Sequence, residues 1–569
     1  MQLVRRFRIP ALFCALAVLV CELIARPYAE MGISDEGPYI LTAQKLASSG
    51  HLVYNGWVEA MLGWQLYLGA AFIKLFGFSF TTVRMSNLVV AMALAFVTQR
   101  TMVRANISER NATIGTLALV LSPLYLMLSV TFMTDITGLF AIVLCLYGCL
   151  RALQSTTSRS TIAWICFAVA TNAIFGTSRQ IGWLGILVMV PSTLWLLRAQ
   201  RRVLFAGAAA ALAGVVFIFS CMFWFQEQPY TLHIHLSVGS VSVALALTRL
   251  ADFFLDVPFL LLPIVALFLP EIRKSRPRVI AVIIASSLVY ARLALHRSYL
   301  QLLEPTQGDW VNMYGGYGYL AKGAPPVFLH TDVRVLLTIS ALGGLLALIL
   351  SFFRSHEPPT AVDTSSRISW SQLNVLLAPF SIAYVLILIP RAGTLGLADR
   401  YTLELLVVTL VCVVRYYQDR IRPELPLASI LLIAIMAIYG IAVTHNMFAF
   451  YRARVALAAE LRAAGVPETS VDNGWEYNLV VELQHADFVN YPAIVKPAHA
   501  YVPTPPLPAG TCPMYWYDYT PHIRPVYGIS FSPNACYGPA PFAPVHYSRW
   551  PYATPGTLYV VRYTPRSKP

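Results

Sequence analysis

Arg5-Arg-Phe-Arg8 runs straight into Ile9-Pro-Ala-Leu-Phe-Cys-Ala-Leu-Ala-Val-Leu-Val-Cys-Glu-Leu-Ile-Ala25, and Arg26 then opens a polar stretch that includes Gly32-Ile-Ser-Asp-Glu-Gly-Pro-Tyr39. Basic residues ahead of an apolar run describe either a cleaved leader or a first membrane span. Tyr28-Ala29 is the nearest approach to a cleavage site, and it is a poor one. Many further apolar runs follow. The run is read as an uncleaved first span with the N-terminus in the cytoplasm.

Composition supports this. The chain has 569 residues, 57% hydrophobic and 12% charged, with a mean hydropathy of +0.62. Soluble domains carry about 25% charged residues. This composition excludes a soluble globule, a disordered tail and a disulfide mini-protein. The net charge of +14 does not imply nucleic acid as a partner. The basic residues stand in small groups between apolar runs, as the positive-inside rule produces, and not on one stripe.

Further candidate spans lie near 83–103, 112–131, 136–152, 161–177, 181–197, 203–225, 252–270, 279–295, 333–353, 371–389, 402–417 and 425–444, about thirteen in all. Leu62 to Phe76 is apolar but carries Gln65 and Lys74, and is read as interfacial or re-entrant. With the N-terminus inside, the inside loops hold Arg100, Arg104 and Arg110, then Arg198, Arg201 and Arg202, and later Arg415, Arg420 and Arg422. Outside loops hold fewer cations, among them Arg26, Arg179, Lys322, Arg391 and Arg400. Counting 62–76 as a span inverts every later loop. An odd number of spans leaves the C-terminus outside.

Residues 445–569 differ in composition, holding 18 of the 37 prolines and no spanning run. Arg452 to Ala464 reads as an amphipathic helix ended by Gly465-Val-Pro467, and Thr557 to Tyr563 as a strand. The expected architecture is an α-helical polytopic membrane protein. A transmembrane unit spans residues 1–444, with a first outer loop at 27–82. A small Pro-rich extracytoplasmic α/β domain spans 445–569. Cys512 and Cys536 share this tail and are expected to form a disulfide. The other seven cysteines lie in spans.

The outer side has one dense acidic point, Asp35-Glu36. The bland reading is a solvated loop pair. The loop continues as Tyr39-x-x-x-Ala43, then Ser49-Gly50, an apolar run closing in Leu75-Phe-Gly77, and Arg84 at the mouth of the next span. This series resembles the first outer loop of GT-C membrane glycosyltransferases, the protein-mannosyltransferase-like, aminoarabinose-transferase-like and rhizobial lipopolysaccharide-sugar-transferase-like enzymes. Thr131-Phe-Met-Thr-Asp135 resembles that family's second acidic position, and Asp399-Arg-Tyr401 its Arg-Tyr element. One feature departs from the pattern. A basic residue that relatives place before the interfacial run is missing near residue 61, where this chain reads Glu59-Ala-Met-Leu62.

The resemblance implies an inverting hexosyl- or pentosyltransferase that takes its sugar from a polyprenyl phosphate on the outer face. The acceptor is a lipid, glycan or protein. The implied location is a bacterial inner membrane, with the lipid bilayer and the lipid-linked donor as partners. Asp35 matches the general-base position. Glu36 either orients the acceptor, binds a divalent metal or is a solvated neighbour. No cofactor is required by the sequence beyond that metal option. Asp135 either assists at the acceptor side, pairs with a cation or caps the helix that follows. Arg84, Arg179 and Arg400 are candidates for the leaving phosphate, with Tyr39 and Tyr401 beside the substrate. Two other readings remain open on sequence alone: a lipid-linked sugar flippase or transporter, and a non-catalytic envelope assembly protein of the same fold. The aromatic loop Asp309-Trp310 with Tyr314 to Tyr319, and the pair His233 and His235, carry weaker signals for sugar and metal.

Overall fold

A computed structural model describes residues 8–57, 60–232, 241–272, 277, 280–281, 303–306, 308–316, 321–353, 368–394 and 396–565. Eight described helices are long and apolar enough to cross a membrane: Phe80–Arg104, Thr134–Leu153, Ser158–Ser178, Arg201–Glu227, Thr331–Phe352, Trp370–Gly393, Asp399–Arg420 and Ala428–Ala463. Two bent pairs raise this to ten. The chain is a multi-pass membrane protein. All of the expected span at 279–295 except residues 280–281, and the pair His233 and His235, lie outside the described residues.

The bends have local causes. Glu109–Val120 and Pro123–Ser129 meet at 70°, and Val243–Leu260 and Leu262–Ile272 at 69°. Pro123 and Pro263 each stand in the first turn of the second piece. Proline lacks an N–H and clashes with the preceding turn, so it restarts a helix more readily than it continues one. Ser122 caps the restart by accepting the Tyr125 N–H.

Ile9–Ala25 is a helix of 17 residues, as the opening stretch predicts. Gly63–Phe76 is a helix of only 14 residues, and its far end exposes Leu75 and Phe76. This fits the interfacial reading.

Two expectations need correction. The span expected at 181–197 is not one α-helix. The chain passes through 3-10 turns at Gly176–Ser178 and Gln180–Trp183 and a π-turn at Gly185–Met189 before Val190–Leu196. Trp183 packs so tightly on Gly176 that a Cβ there would lie 2.3 Å from the ring. Asn172 bridges the break, donating to the Ala141 and Gly182 carbonyls and accepting the Ile186 N–H. The second correction concerns the last span. Ala428–Ala463 is one unbroken helix of 36 residues, about 54 Å long at 1.5 Å per residue. The division expected at residue 444 and the separate amphipathic helix both fall inside it.

The tail carries a mixed sheet. Strands β1 (Val471–Asp472), β2 (Tyr527–Ser530), β3 (Val545–Arg549) and β4 (Tyr552–Arg562) stand in the order β1-β2-β4-β3. β1 runs parallel to β2, and the other pairs are antiparallel. The long helix enters this unit through a fully buried ion pair, Arg454 to Glu476 at 3.1 Å, with the Tyr451 hydroxyl also donating to Glu476.

The tail sits over the first loop. Val489 N–H donates to the Asn55 carbonyl, Val480 lies 3.2 Å from where a Gly37 Cβ would be, and Lys322 meets the Pro513 carbonyl. The described residues of the first loop, of 308–316 and 321–330 and of the tail thus share one end of the helix bundle. At the other end, the loops read as inside meet each other: Arg100 with Glu109, Gln418 with Asn106, and Arg110 with Glu424.

Two predictions follow from this arrangement. Single-cysteine labelling at positions 35, 322 and 546 in a background without reactive thiols is expected to give one accessibility and position 202 the opposite. Labelling of 35 and 546 from opposite faces contradicts the fold. Cys512 and Cys536 are bonded. A disulfide closing a loop of this length contributes about 3 kcal/mol, chiefly by restricting the unfolded chain. Changing both to Ser is expected to lower the proteolytic resistance of the tail without changing the helical far-UV signal.

Candidate active site

The site is assembled from a tight first loop. Helix Ile9–Ala25 ends at Arg26 in the left-handed conformation, followed by Pro27. The Glu30 carboxylate then accepts the Phe80 N–H at 2.9 Å and caps the start of the next span. The loop closes where Gly32 meets Gly37, and a Cβ on Gly32 would lie 2.7 Å from the Gly37 Cα. The helix Glu36–Ser49 begins directly after Asp35.

The two adjacent acids have opposite fates. Glu36 is fully buried and pairs with fully buried Arg84 at 2.5 Å. Its Oε1 also accepts the Ile33 N–H at 2.9 Å, and its Oε2 accepts the Phe132 N–H. Arg84 donates in addition to the Ala29 and Met31 carbonyls. Asp35 stands at the N-cap position without capping the helix. Its Oδ1 accepts the Trp57 indole N–H at 3.0 Å, and its Oδ2 lies 3.7 Å from Arg400 Nη1. The expectations for Glu36 and Arg84 are therefore corrected. Both carboxylate oxygens and the guanidinium are engaged by protein groups, and neither residue lines the cavity described next.

That cavity, about 620 Å³, lies between the bundle and the tail. It brings together Asp35, Tyr39, Asp135, Arg179, Arg400 and Tyr401, six of the residues singled out from sequence. Asp135 is in the first turn of Thr134–Leu153 and does not cap it. Its Oδ1 takes a hydrogen bond from Arg179 Nη1 at 2.6 Å, and its Oδ2 is buried without a hydrogen-bond partner. Gln65 steadies the approach to this acid, donating to the Phe132 carbonyl and accepting the Thr137 hydroxyl. Arg179 is delivered by the break in its span, where the backbone is extended at φ −148°. Glu404 lies 3.6 Å from the same Arg179 nitrogen and accepts the Tyr384 hydroxyl.

Arg400 comes from the 3-10 turn Asp399–Thr402. Asp399 accepts the backbone N–H groups of Trp310, Val311 and Arg400. This ties the 303–316 segment to the turn and sets Asp309 beside Arg400, Oδ2 to Nε at 3.6 Å. Arg400 Nε is buried with no hydrogen-bond partner. Burial pushes the Asp309 carboxyl above its ordinary range. Arg400 pulls it the other way, and the Asp35 and Asp135 charges add to the rise.

Three guanidiniums surround the Tyr401 ring: Arg179 at 5.0 Å, Arg391 at 5.0 Å and Arg400 at 5.6 Å from its centroid. All three line the cavity. Of the lining residues, the sequence flags Asp309 only within the aromatic loop and assigns no role to Arg391, Trp57, Gln180, Tyr491 and Trp516. Arg391 had a signal, being an arginine at the outer end of a span where the positive-inside rule does not ask for one. The tail aromatics had none.

The Tyr314 segment lines a separate cleft with Phe328, Phe450 and Tyr547, not the cavity of Asp35. Tyr317 and Tyr319 are outside the described residues. Among the described residues no three His, Cys, Asp or Glu side chains converge as metal ligands. The cavity acids face guanidiniums, which oppose a cation, so the donor set does not fit the divalent metal considered for Glu36.

No protein-family model and no curated protein matches the sequence. Solved structures do. The fold comparison returns membrane glycosyltransferases. ArnT from Cupriavidus metallidurans bound to undecaprenyl phosphate is 15% identical over 80% of this chain and 82% of its own, with a TM-score of 0.39. The oligosaccharyltransferase AglB from Archaeoglobus fulgidus, in complex with an inhibitory peptide and a dolichol-phosphate, is 14% identical over 91% of this chain and 69% of its own, with a TM-score of 0.42. The arabinosyltransferase EmbB from Mycobacterium smegmatis is 13% identical over 79% and 42%, with a TM-score of 0.33. At TM-scores below 0.5 the likeness carries no argument about chemistry, which rests on the cavity.

The Glu36–Arg84 pair gives a prediction about stability. Breaking a buried pair by removing one partner costs about 3–5 kcal/mol, because the other charge is left uncompensated. Arg84→Met is expected to lower the yield of monodisperse protein after heating, and Arg84→Met with Glu36→Leu to recover part of it. Glu36→Gln with unchanged thermal stability and abolished turnover would return Glu36 to the chemistry.

Proposed function

We propose that this protein is an inverting glycosyltransferase of GT-C type that moves a sugar from a polyprenyl-phosphate donor to an acceptor hydroxyl on the outer face of the membrane. The observation that carries the reading is one cavity holding the Asp35 carboxylate opposite Arg400, whose buried Nε has no hydrogen-bond partner. Glycosyl transfer from a lipid phosphate asks for both groups at once. The acceptor oxygen attacks the anomeric carbon, and its proton passes to Asp35. The bond from the anomeric carbon to the phosphate oxygen breaks, and the electron pair leaves with the polyprenyl phosphate. Attack from the side opposite the leaving group inverts the centre.

Charge grows on the phosphate as that bond breaks. Fixed donors in a site closed to bulk water stabilise it without reorganising. Arg400 supplies the open donor, with Arg179 and Arg391 beside it around Tyr401. These three take the part of the basic residue missing near residue 61. Asp135 and Glu404 hold Arg179 in place. Asp309 and Asp35 stand 3.6 and 3.7 Å from Arg400, beyond hydrogen-bond distance, which leaves its Nε for a phosphate oxygen. An apolar cleft lined by Trp64, Tyr67, Phe217 and Trp224 reaches Gly63 and Thr177 near the Arg179 break. It supports access for a lipid chain from the bilayer. Transfer at the end of the bundle that carries the tail matches the arginine bias, which puts that end outside.

Asp35→Asn tests the reading. A positioned base contributes typically 10²–10⁴-fold, about 3–5 kcal/mol of barrier. The variant is expected to lose turnover by about that factor in a transfer assay with a labelled polyprenyl-phosphate sugar and envelope glycan extract, with donor affinity nearly unchanged. Near-normal turnover removes Asp35 from the chemistry.

A further inference from the structure

The cavity has two unlike sides, and Asp35 touches both. One oxygen faces Arg400 on the cationic side. The other accepts the indole N–H of Trp57, which is the centre of an aromatic cluster. The Trp475 ring lies at 5.3 Å from Trp57, Tyr491 and Trp516 at 5.7 Å, and Tyr519 at 5.9 Å, in tilted and edge-on arrangements. These distances and angles are those that aromatic pairs prefer. Of the five, Trp57, Tyr491 and Trp516 line the cavity, while Trp475 and Tyr519 brace them from behind. Tyr491 and Trp516 belong to the tail.

We propose that this aromatic side is the acceptor subsite and that it takes a pyranose ring, so that the acceptor is a sugar hydroxyl of a glycan. The proposal rests on the glycosyl-transfer reading and deepens it. A pyranose offers a face of C–H groups and a rim of hydroxyls. The C–H face suits the negative face of an aromatic ring. The cavity also holds polar side chains that suit the rim, Tyr39, Thr134 and Gln180. A ring stacked there sets a rim hydroxyl beside Asp35, on the side away from the cations.

The same wall disfavours the other acceptor classes. A peptide captured by strand addition needs a sheet edge, and no residue of β1 to β4 lines the cavity. A phosphate acceptor needs cations of its own. Among the described residues the cations lining the cavity, Arg179, Arg391 and Arg400, all stand on the Tyr401 side.

The test uses the full chain in detergent and reads fluorescence anisotropy. The probes are a panel of fluorescein-tagged hexose tri- and tetrasaccharides and a tagged Ser/Thr-rich octapeptide. Undecaprenyl phosphate binding, read by native mass spectrometry, is a separate arm. At least one saccharide is expected to bind saturably. Trp516→Ala and Tyr491→Leu are each expected to weaken it about tenfold, and Trp516→Phe by no more than about threefold, as loss or retention of a stacking face implies. Undecaprenyl phosphate binding should survive all three changes, which also shows that each variant is folded, and should fall in Arg400→Met. Preferred binding of the peptide, no saccharide binding, or saccharide binding indifferent to Trp516→Ala and Tyr491→Leu overturns the acceptor proposal. Saccharide binding by a wild-type protein that does not bind undecaprenyl phosphate contradicts the donor reading instead and leaves the acceptor subsite standing.

Discussion

The buried pair between Glu36 and Arg84 fixes the geometry on which the site depends. Taking two charges out of water is costly, and a buried pair persists only where further hydrogen bonds satisfy both partners. Here they do. Glu36 also accepts the N–H groups of Ile33 and Phe132, and Arg84 also donates to the Ala29 and Met31 carbonyls. These contacts join the first loop to the span that begins at Phe80 and to the turn before Asp135. Successive helical residues point about 100° apart. With Glu36 locked inward, Asp35 is turned toward the cavity. One pair thus sets the base and the approach to the second acid together.

The cationic side is ordered differently. Three arginines crowd one tyrosine ring, an arrangement unfavourable by itself. The carboxylates of Asp35, Asp135, Asp309 and Glu404 offset the repulsion. The offset is uneven. Arg179 makes a close bond to Asp135 at 2.6 Å, whereas Arg400 lies 3.6 and 3.7 Å from Asp309 and Asp35. Arg179 is a held group and Arg400 an available one. Fixed partners and one open donor together suit a ligand that brings its own negative charge.

Much of this was legible in sequence because membrane physics writes plainly. Apolar length marks spans, and arginine bias marks ends. Ile9–Ala25 and the interfacial helix at 63–76 are found where those rules put them. Arg179 and Arg400 stood out because ionisable groups at span ends need a reason to be there, and Asp35 and Asp135 because the first-loop series and Thr131 to Asp135 resemble a known family's acidic positions. What stayed hidden was set by distant contacts. Nothing near Glu36 shows that its partner is 48 residues away. The break at Gly176 depends on Asn172 and Trp183 packing, not on loss of apolar character. The helix 428–463 runs past its apolar stretch because Arg454 finds Glu476 in the tail. The two tail rings over Asp35 come from loops with no pattern of their own.

In the proposed reaction the leaving phosphate of a lipid-linked donor sits against Arg400 and the acceptor hydroxyl beside Asp35. An experimental structure of the full-length protein with undecaprenyl phosphate measures this directly. The expected result is a phosphate oxygen within hydrogen-bond distance of Arg400 Nε, with Arg179 or Arg391 on a second oxygen and the lipid chain leaving toward Trp64 and Trp224. A phosphate held elsewhere, with the Arg400 and Asp35 side chains undisturbed, contradicts it.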